Sequence, residues 1–208
     1  MSALLNPGSF NYRNYPLQDY IELAYGIQPY QLAHTAPVSL DDLIARYDII
    51  AKAQEAVPLP QMKLMLQSLL ADRFGLAIHR ETKELSAYIL VVDKGGPRFK
   101  ASEDEGPTLV PPTKDGVASY RRASMAYLTR MLFYLPSLGG RPVVDRTGLD
   151  GVYDFTMKVL DPGVEGNFAQ QFDERHDEWL KALGLRLIPE KASIEILVVD
   201  HVGKPSAN

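Results

Sequence analysis

Cysteine is missing from this 208-residue sequence, which excludes disulfides, thiolate metal sites and cysteine nucleophiles. Tryptophan occurs once, and the four histidines are His34, His79, His176 and His201. No two of them have the spacing that places metal ligands on one helix face, so no zinc site is expected. Charge of one sign is scarce as well: 22 basic and 26 acidic residues leave a net charge of −4, with no basic tract. That argues against nucleic-acid binding and against adsorption to a membrane surface. No apolar run approaches the ~18 residues that a membrane span needs, so no transmembrane segment is expected. The opening Met1-Ser2-Ala3-Leu4-Leu5-Asn6-Pro7-Gly8 lacks the basic and apolar regions of a signal peptide. Nucleophile-elbow, phosphate-loop and dinucleotide-glycine patterns are missing too.

What is present is ordinary globular composition, 46% apolar and 23% charged, and a repeat. Ile89-Leu90-Val91-Val92-Asp93 recurs as Ile196-Leu197-Val198-Val199-Asp200. Upstream, Phe74-Gly75-Leu76 answers Leu183-Gly184-Leu185, Tyr47-Asp48-Ile49 answers Tyr153-Asp154-Phe155, and Gly8-x-x-x-Tyr12-Arg13 answers Gly116-x-x-x-Tyr120-Arg121. The four matches keep their order at offsets of 106 to 109 residues, whereas chance would scatter the offsets. The expected fold is therefore α+β, an internal duplication of a β-α-β-β-α-β-β unit with mainly antiparallel sheet. Repeat one spans 1–94 and repeat two 116–208, joined by an exposed linker at 95–115 rich in proline, glycine and acidic residues.

Within each repeat, strands at 9–14 and 117–122 lead into a helix. The first helix shows Leu17, Tyr20, Ile21 and Ala24 on one face and stops at Gly26; the second starts at Ser124 as N-cap. Hairpin-like pairs follow, 30–33 with 47–51 and 142–144 with 152–159. A second helix has Pro60 in its first turn, Met62, Met65, Leu66, Leu69 and Leu70 on one face, and Gly75 past its end. Its counterpart at 167–183 carries Phe172, Trp179 and Leu183 on one stripe. Strands at 76–82 with 87–93, and at 185–190 with 194–200, close the repeats.

Two clusters carry chemistry. Asp145, Asp150 and Asp154 gather around two glycines in Asp145-Arg146-Thr147-Gly148-Leu149-Asp150-Gly151-Val152-Tyr153-Asp154. Hard cations such as calcium take several oxygens from a compact loop, so these three are the candidate metal ligands. The competing reading is a turn, with Asp150-Gly151 as the turn dipeptide and Asp145 capping it. The Tyr-Asp shared by both repeats favours a structural role for Asp48 and Asp154. The second cluster is the repeated Tyr12-Arg13 and Tyr120-Arg121. Alternation sends tyrosine and arginine to opposite faces of a strand. Two related arginines suit an anionic ligand, and an arginine that merely solvates the outer face is the plain alternative.

The segments Leu17 to Gly26, Arg46-Tyr47-Asp48-Ile49, Met65 to Leu76, His79-Arg80-Glu81-Thr82 and Gly95-Gly96-Pro97 resemble the Solibacter-type family of soil acidobacterial, mostly exported, uncharacterised proteins. In the second repeat the resemblance rests on Gly140 to Phe155, Gly184-Leu185 and Asp200 to Pro205. It implies a periplasmic or secreted location and, because similar domains are fused to membrane sensor-peptidases, a sensing role. It brings no catalytic residues. Together these features point to an extracytoplasmic module that binds a small molecule or peptide in a cleft between two repeats. The alternative is a hydrolase of small esters or lactones assisted by a calcium-like divalent cation.

Overall fold

A computed structural model describes residues 9–53, 55, 57–103, 109–110, 117–158 and 168–205. Gly8, Gly116, Asn167 and linker residues 104–108 and 111–115 lie outside the described residues. The elements in order are β1 (Ser9–Pro16), α1 (Leu17–Tyr25), β2 (Leu32–His34), α2 (Leu40–Ile44), β3 (Arg46–Lys52), α3 (Leu59–Phe74) and β4 (Ala77–Val92). There follow β5 (Lys100–Ala101), β6 (Leu109–Val110), β7 (Val117–Ser124), α4 (Met125–Phe133), β8 (Val143–Asp145), β9 (Val152–Lys158), α5 (Phe168–Ala182) and β10 (Leu185–His201). The fold is α+β with mainly antiparallel sheets.

Helix ends fall where local chemistry puts them. Gly26 and Gly75 close α1 and α3 in the left-handed conformation, at φ 65° and 59°, which costs glycine nothing for want of a Cβ. Ser124 caps α4 by accepting from the Tyr127 amide at 3.2 Å. The five-residue α2 has a reciprocal cap, with Ser39 Oγ accepting from Asp42 N and Asp42 Oδ2 accepting from Ser39 N.

Three expectations are corrected. The closing strand pairs are single long strands, because 83–86 and 191–193 hold no glycine, proline or Asx residue to turn the chain. The hairpins do not form. β2 instead runs parallel to β10, with Leu32 opposite Leu197, and β8 runs parallel to β4, with Val143 opposite Tyr88. β3 and β9 pair antiparallel with β1 and β7. Finally, Met65 is 45% exposed. The buried stripe of α3 is the narrow Leu66, Leu70, Phe74 line at i, i+4, i+8.

The described residues divide into two compact units, the first within 9–83 and 193–205 and the second within 84–192. The repeat boundaries belong to the sequence; the units are cut inside β4 and β10. Consequently the first unit contains Ile196 to Asp200, and the second contains Ile89 to Asp93. In the first, Leu197 and Val199 join Leu17, Tyr20, Ile21, Leu70 and Phe74 in the core. In the second, Leu90 joins Leu128, Leu132, Val143, Trp179 and Leu185. Leu90 in one core, and Leu197 with Val199 in the other, thus come from the opposite half of the sequence.

Both units use one local device. β1 is bulged between Tyr12 and Tyr15, and β7 between Tyr120 and Ala123. Asn14 (φ 58°) and Arg122 (φ 52°) take the left-handed conformation there. The amide each exposes donates to an aspartate on the neighbouring strand: Asn14 N to Asp48 Oδ1 at 2.7 Å, Arg122 N to Asp154 Oδ1 at 3.1 Å. A bulge leaves an amide out of the ladder, and the carboxylate satisfies it.

On the first unit's surface, His79 sits between two carboxylates, with Nδ1 2.8 Å from Asp200 Oδ2 and Nε2 3.1 Å from Glu81 Oε1. Its hydrogen bond to Asp200, then that to Glu81, raises its pKa. Because the folded value is raised, the stabilisation is complete below the unfolded value of about 6.5 and fades as pH rises through the folded one. Urea midpoints of the parent and His79→Gln should therefore differ more at pH 6 than at pH 8.5. An equal gap at both would show that the pair has no linkage to protons.

Candidate ligand-binding site

The second unit carries a hollow of about 700 Å³ on the sheet β5-β9-β7-β6. Strand alternation builds it from β7 and β9. Tyr120 turns inward, 2% exposed, and stacks on Phe155 with ring centroids 5.2 Å apart. Arg121, its neighbour in sequence, is exposed and lines the hollow together with Arg98, Lys100 and Asp154. Three cations thus surround one carboxylate, beside the half-buried Phe99 and the hydroxyl-bearing Ser119 and Thr156.

Backbone hydrogen bonds fix the wall that carries Arg98. Asp93 N donates to Gly184 O at 2.8 Å, Gly96 N to Asp93 O at 2.9 Å, and Arg98 N to Leu183 O at 2.9 Å. Phe99 then packs edge-on against Tyr153, with centroids 5.2 Å apart, and Lys100 pairs with Asp154 in the ladder. The Ser102 hydroxyl beside it, the Arg122 amide and the charges of Lys100 and Arg121 hold the Asp154 carboxyl below the usual range. An ionised Asp154 therefore sits within the field of Lys100 and Arg121.

The sequence-derived candidates fall in three places. Tyr120 and Arg121 belong to this hollow. Tyr12 and Arg13 belong to the first unit, where the Tyr12 hydroxyl is buried and has no hydrogen-bond partner among the described residues. Burial, with Tyr15 adding to it, pushes that hydroxyl up to about 12. Tyr20 nearby shares its own hydroxyl between the carbonyls of Tyr47 at 2.9 Å and Tyr12 at 3.1 Å, so this tyrosine cluster pins β1, β3 and α1 together. Asp145 accepts from both the amide and the hydroxyl of Thr147, at 2.9 and 2.7 Å, which makes a side-chain-closed turn. Asp150 is exposed on the same loop. Among the described residues no three His, Asp or Glu side chains are grouped to hold a metal ion. Arg98, Phe99 and Lys100 were missed in sequence because they fall inside the expected linker. An aromatic between two cations, directly after Gly95-Gly96-Pro97, was the available signal.

Among the described residues no helix is long and apolar enough to cross a membrane. Fold and site together define an α+β protein of two compact units, the second bearing a hollow lined by Arg98, Lys100 and Arg121. The sequence model of one family, described as a protein of unknown function (DUF3738), matches residues 18–202. The chain belongs to that family. No curated protein and no solved structure matches it.

Proposed function

We propose that the protein is an extracytoplasmic binding module whose second unit takes a small anionic ligand in the hollow between Arg98, Lys100 and Arg121. The observation that carries this is the convergence of those three cations on one hollow beside the Phe99 ring. Guanidinium groups grip carboxylates and phosphates through paired N–H donors, and the half-buried Phe99 ring beside them suits a ligand with a flat or apolar body. The extracytoplasmic and sensing parts of the proposal rest on the family resemblance set out above. Of the two cleft pairs, the proposal uses only Tyr120 and Arg121. Ester or lactone hydrolysis with a calcium-like ion would need Asp145, Asp150 and Asp154 about one cation. Asp145 and Asp154 are each engaged with a backbone amide, so binding is the function supported best.

The test is a thermal-shift and calorimetric screen against aliphatic and aromatic carboxylates and phosphate monoesters at low and high salt. At least one aromatic anion should stabilise the protein in a saturable way, less so at high salt. Arg98→Gln and Arg121→Gln should each weaken it by about tenfold or more, the loss of one charge-assisted hydrogen bond. Failure of every anion to bind, or equal binding by both variants, would reject the site.

A further inference from the structure

The outer edge of β3 supports an inference that is independent of the anion hollow. β3 and β9 hold the same place in their units: each pairs antiparallel with a bulged strand and supplies the aspartate that holds the bulge. Beyond β9 lies another strand. Lys100 pairs with Asp154, Ala101 with Tyr153, and Ser102 N donates to Val152 O at 2.9 Å. Phe99 covers that edge, with its ring 5.2 Å from Tyr153 and 6.0 Å from Phe155.

Beyond β3 there is no such strand among the described residues; its sheet has the order β1-β3 and ends there. Where β5 and Phe99 would lie is a hollow of about 310 Å³. Tyr47, Asp48, Ile49, Arg73, Phe74 and Pro205 line it; Tyr47, Asp48, Ile49 and Phe74 stand where the second unit has Tyr153, Asp154, Phe155 and Leu183. Ile50 also lines it and is 61% exposed, whereas the second unit has Thr156 at that place. Unpaired strand edges are normally blunted with charge or proline, and β3 carries exposed Arg46, Asp48 and Lys52; Ile50 interrupts that charged row and leaves an apolar contact beside a hollow of mixed polarity.

We propose that this edge binds an extended peptide as an added strand, with an aromatic side chain in the hollow and a basic residue opposite Asp48. The second unit supplies the template for the occupant, because Phe99 and Lys100 make those two contacts on β9. Main-chain pairing gives such a site its affinity, and the hollow gives it selectivity for the aromatic. Since Ser102 bonds at Val152, two-residue alternation turns the amides of Asp48 and Ile50 to the open edge.

The probe is a fluorescent synthetic heptapeptide with this chain's own 97–103 sequence, Pro-Arg-Phe-Lys-Ala-Ser-Glu, added to the full chain. Saturable binding is expected by anisotropy, with hydrogen exchange slowed at the amides of Asp48 and Ile50. Phe99→Ala in the peptide, or Ile50→Lys in the protein, should weaken binding by about tenfold or more. Ile50 is exposed, so the variant should keep the parental melting temperature, and Arg121→Gln should bind the peptide normally. The proposal is overturned by absence of saturation, by undiminished binding to Ile50→Lys, or by protection appearing on β9. It is also overturned if the Asp48 and Ile50 amides already exchange slowly without peptide, since the chain's own residues would then cover the edge. A dimer that Ile50→Lys dissociates, with no peptide uptake, would assign the edge to a second copy instead.

Discussion

Gly184→Ala is expected to destabilise the protein by about 2–5 kcal/mol, summing a left-handed penalty of roughly 1–2 and an overpacking penalty of roughly 1–3. Gly184 has φ +74°, and a Cβ placed there would collide with Gly96 O and lie 3.0 Å from Gly96 C. Those are backbone atoms, so no side chain can swing aside to make room. The turn at 95–98 would have to lift, breaking the Arg98 N to Leu183 O bond and carrying Arg98 away from the anion hollow. Stability and anion affinity should therefore fall together. Gly75 provides the comparison. It has φ +59°, yet its added Cβ would only touch the His201 ring at 3.6 Å. Gly75→Ala should cost about 1–2 kcal/mol, the conformational part alone. Urea denaturation of both variants decides the matter: equal losses would mean that the close approach at Gly184 does not exist.

The second large effect concerns the strands shared across the sequence. Leu90 and Leu197 are 0% and 1% exposed, and truncating a fully buried leucine to alanine costs about 3–5 kcal/mol. Where the damage appears is the sharper point. Leu90 precedes residue 94, yet its partners include Leu128, Leu132, Val143 and Trp179. Leu197 comes near the end, yet it packs with Tyr20, Ile21, Leu70 and Phe74. Leu90→Ala should therefore accelerate hydrogen exchange in α4, β7 and α5, and Leu197→Ala in α1, β1 and α3. If each variant instead loosened the helices of its own half of the sequence, the assignment of strands to cores would be wrong.

These placements mark how far the sequence could be followed. Helix α1 was legible because Leu17, Tyr20, Ile21 and Ala24 recur at helical spacing and Gly26 stops them; all four are buried. Ser124, Pro60 and Gly75 marked helix ends by chemistry confined to a few residues. Strand partners were another matter. Alternation along 30–33 or 47–51 says that a strand is present but not what it pairs with, and pairing across more than 150 residues leaves no local trace. Hence β2 was set against β3 when it lies along β10. The short α2 was missed although Ser39-x-x-Asp42 is a capping signal, and β5 was hidden in a segment that reads as linker. For the site, Tyr120 and Arg121 stood out through repetition, whereas Arg98 and Lys100 join them only through the Asp93–Gly184 and Arg98–Leu183 hydrogen bonds. Nothing in composition announces those bonds.

The crossing of β4 and β10 between units has a consequence for anyone who would divide the gene. A fragment ending near residue 94, or one beginning near 116, would each carry a core with its central strand gone and that strand's own hydrophobic face bare. Each fragment alone should be aggregation-prone, while the two produced in the same cell should rescue one another by trading strands. Two sequences that look like self-sufficient copies are, as folding partners, mutually dependent.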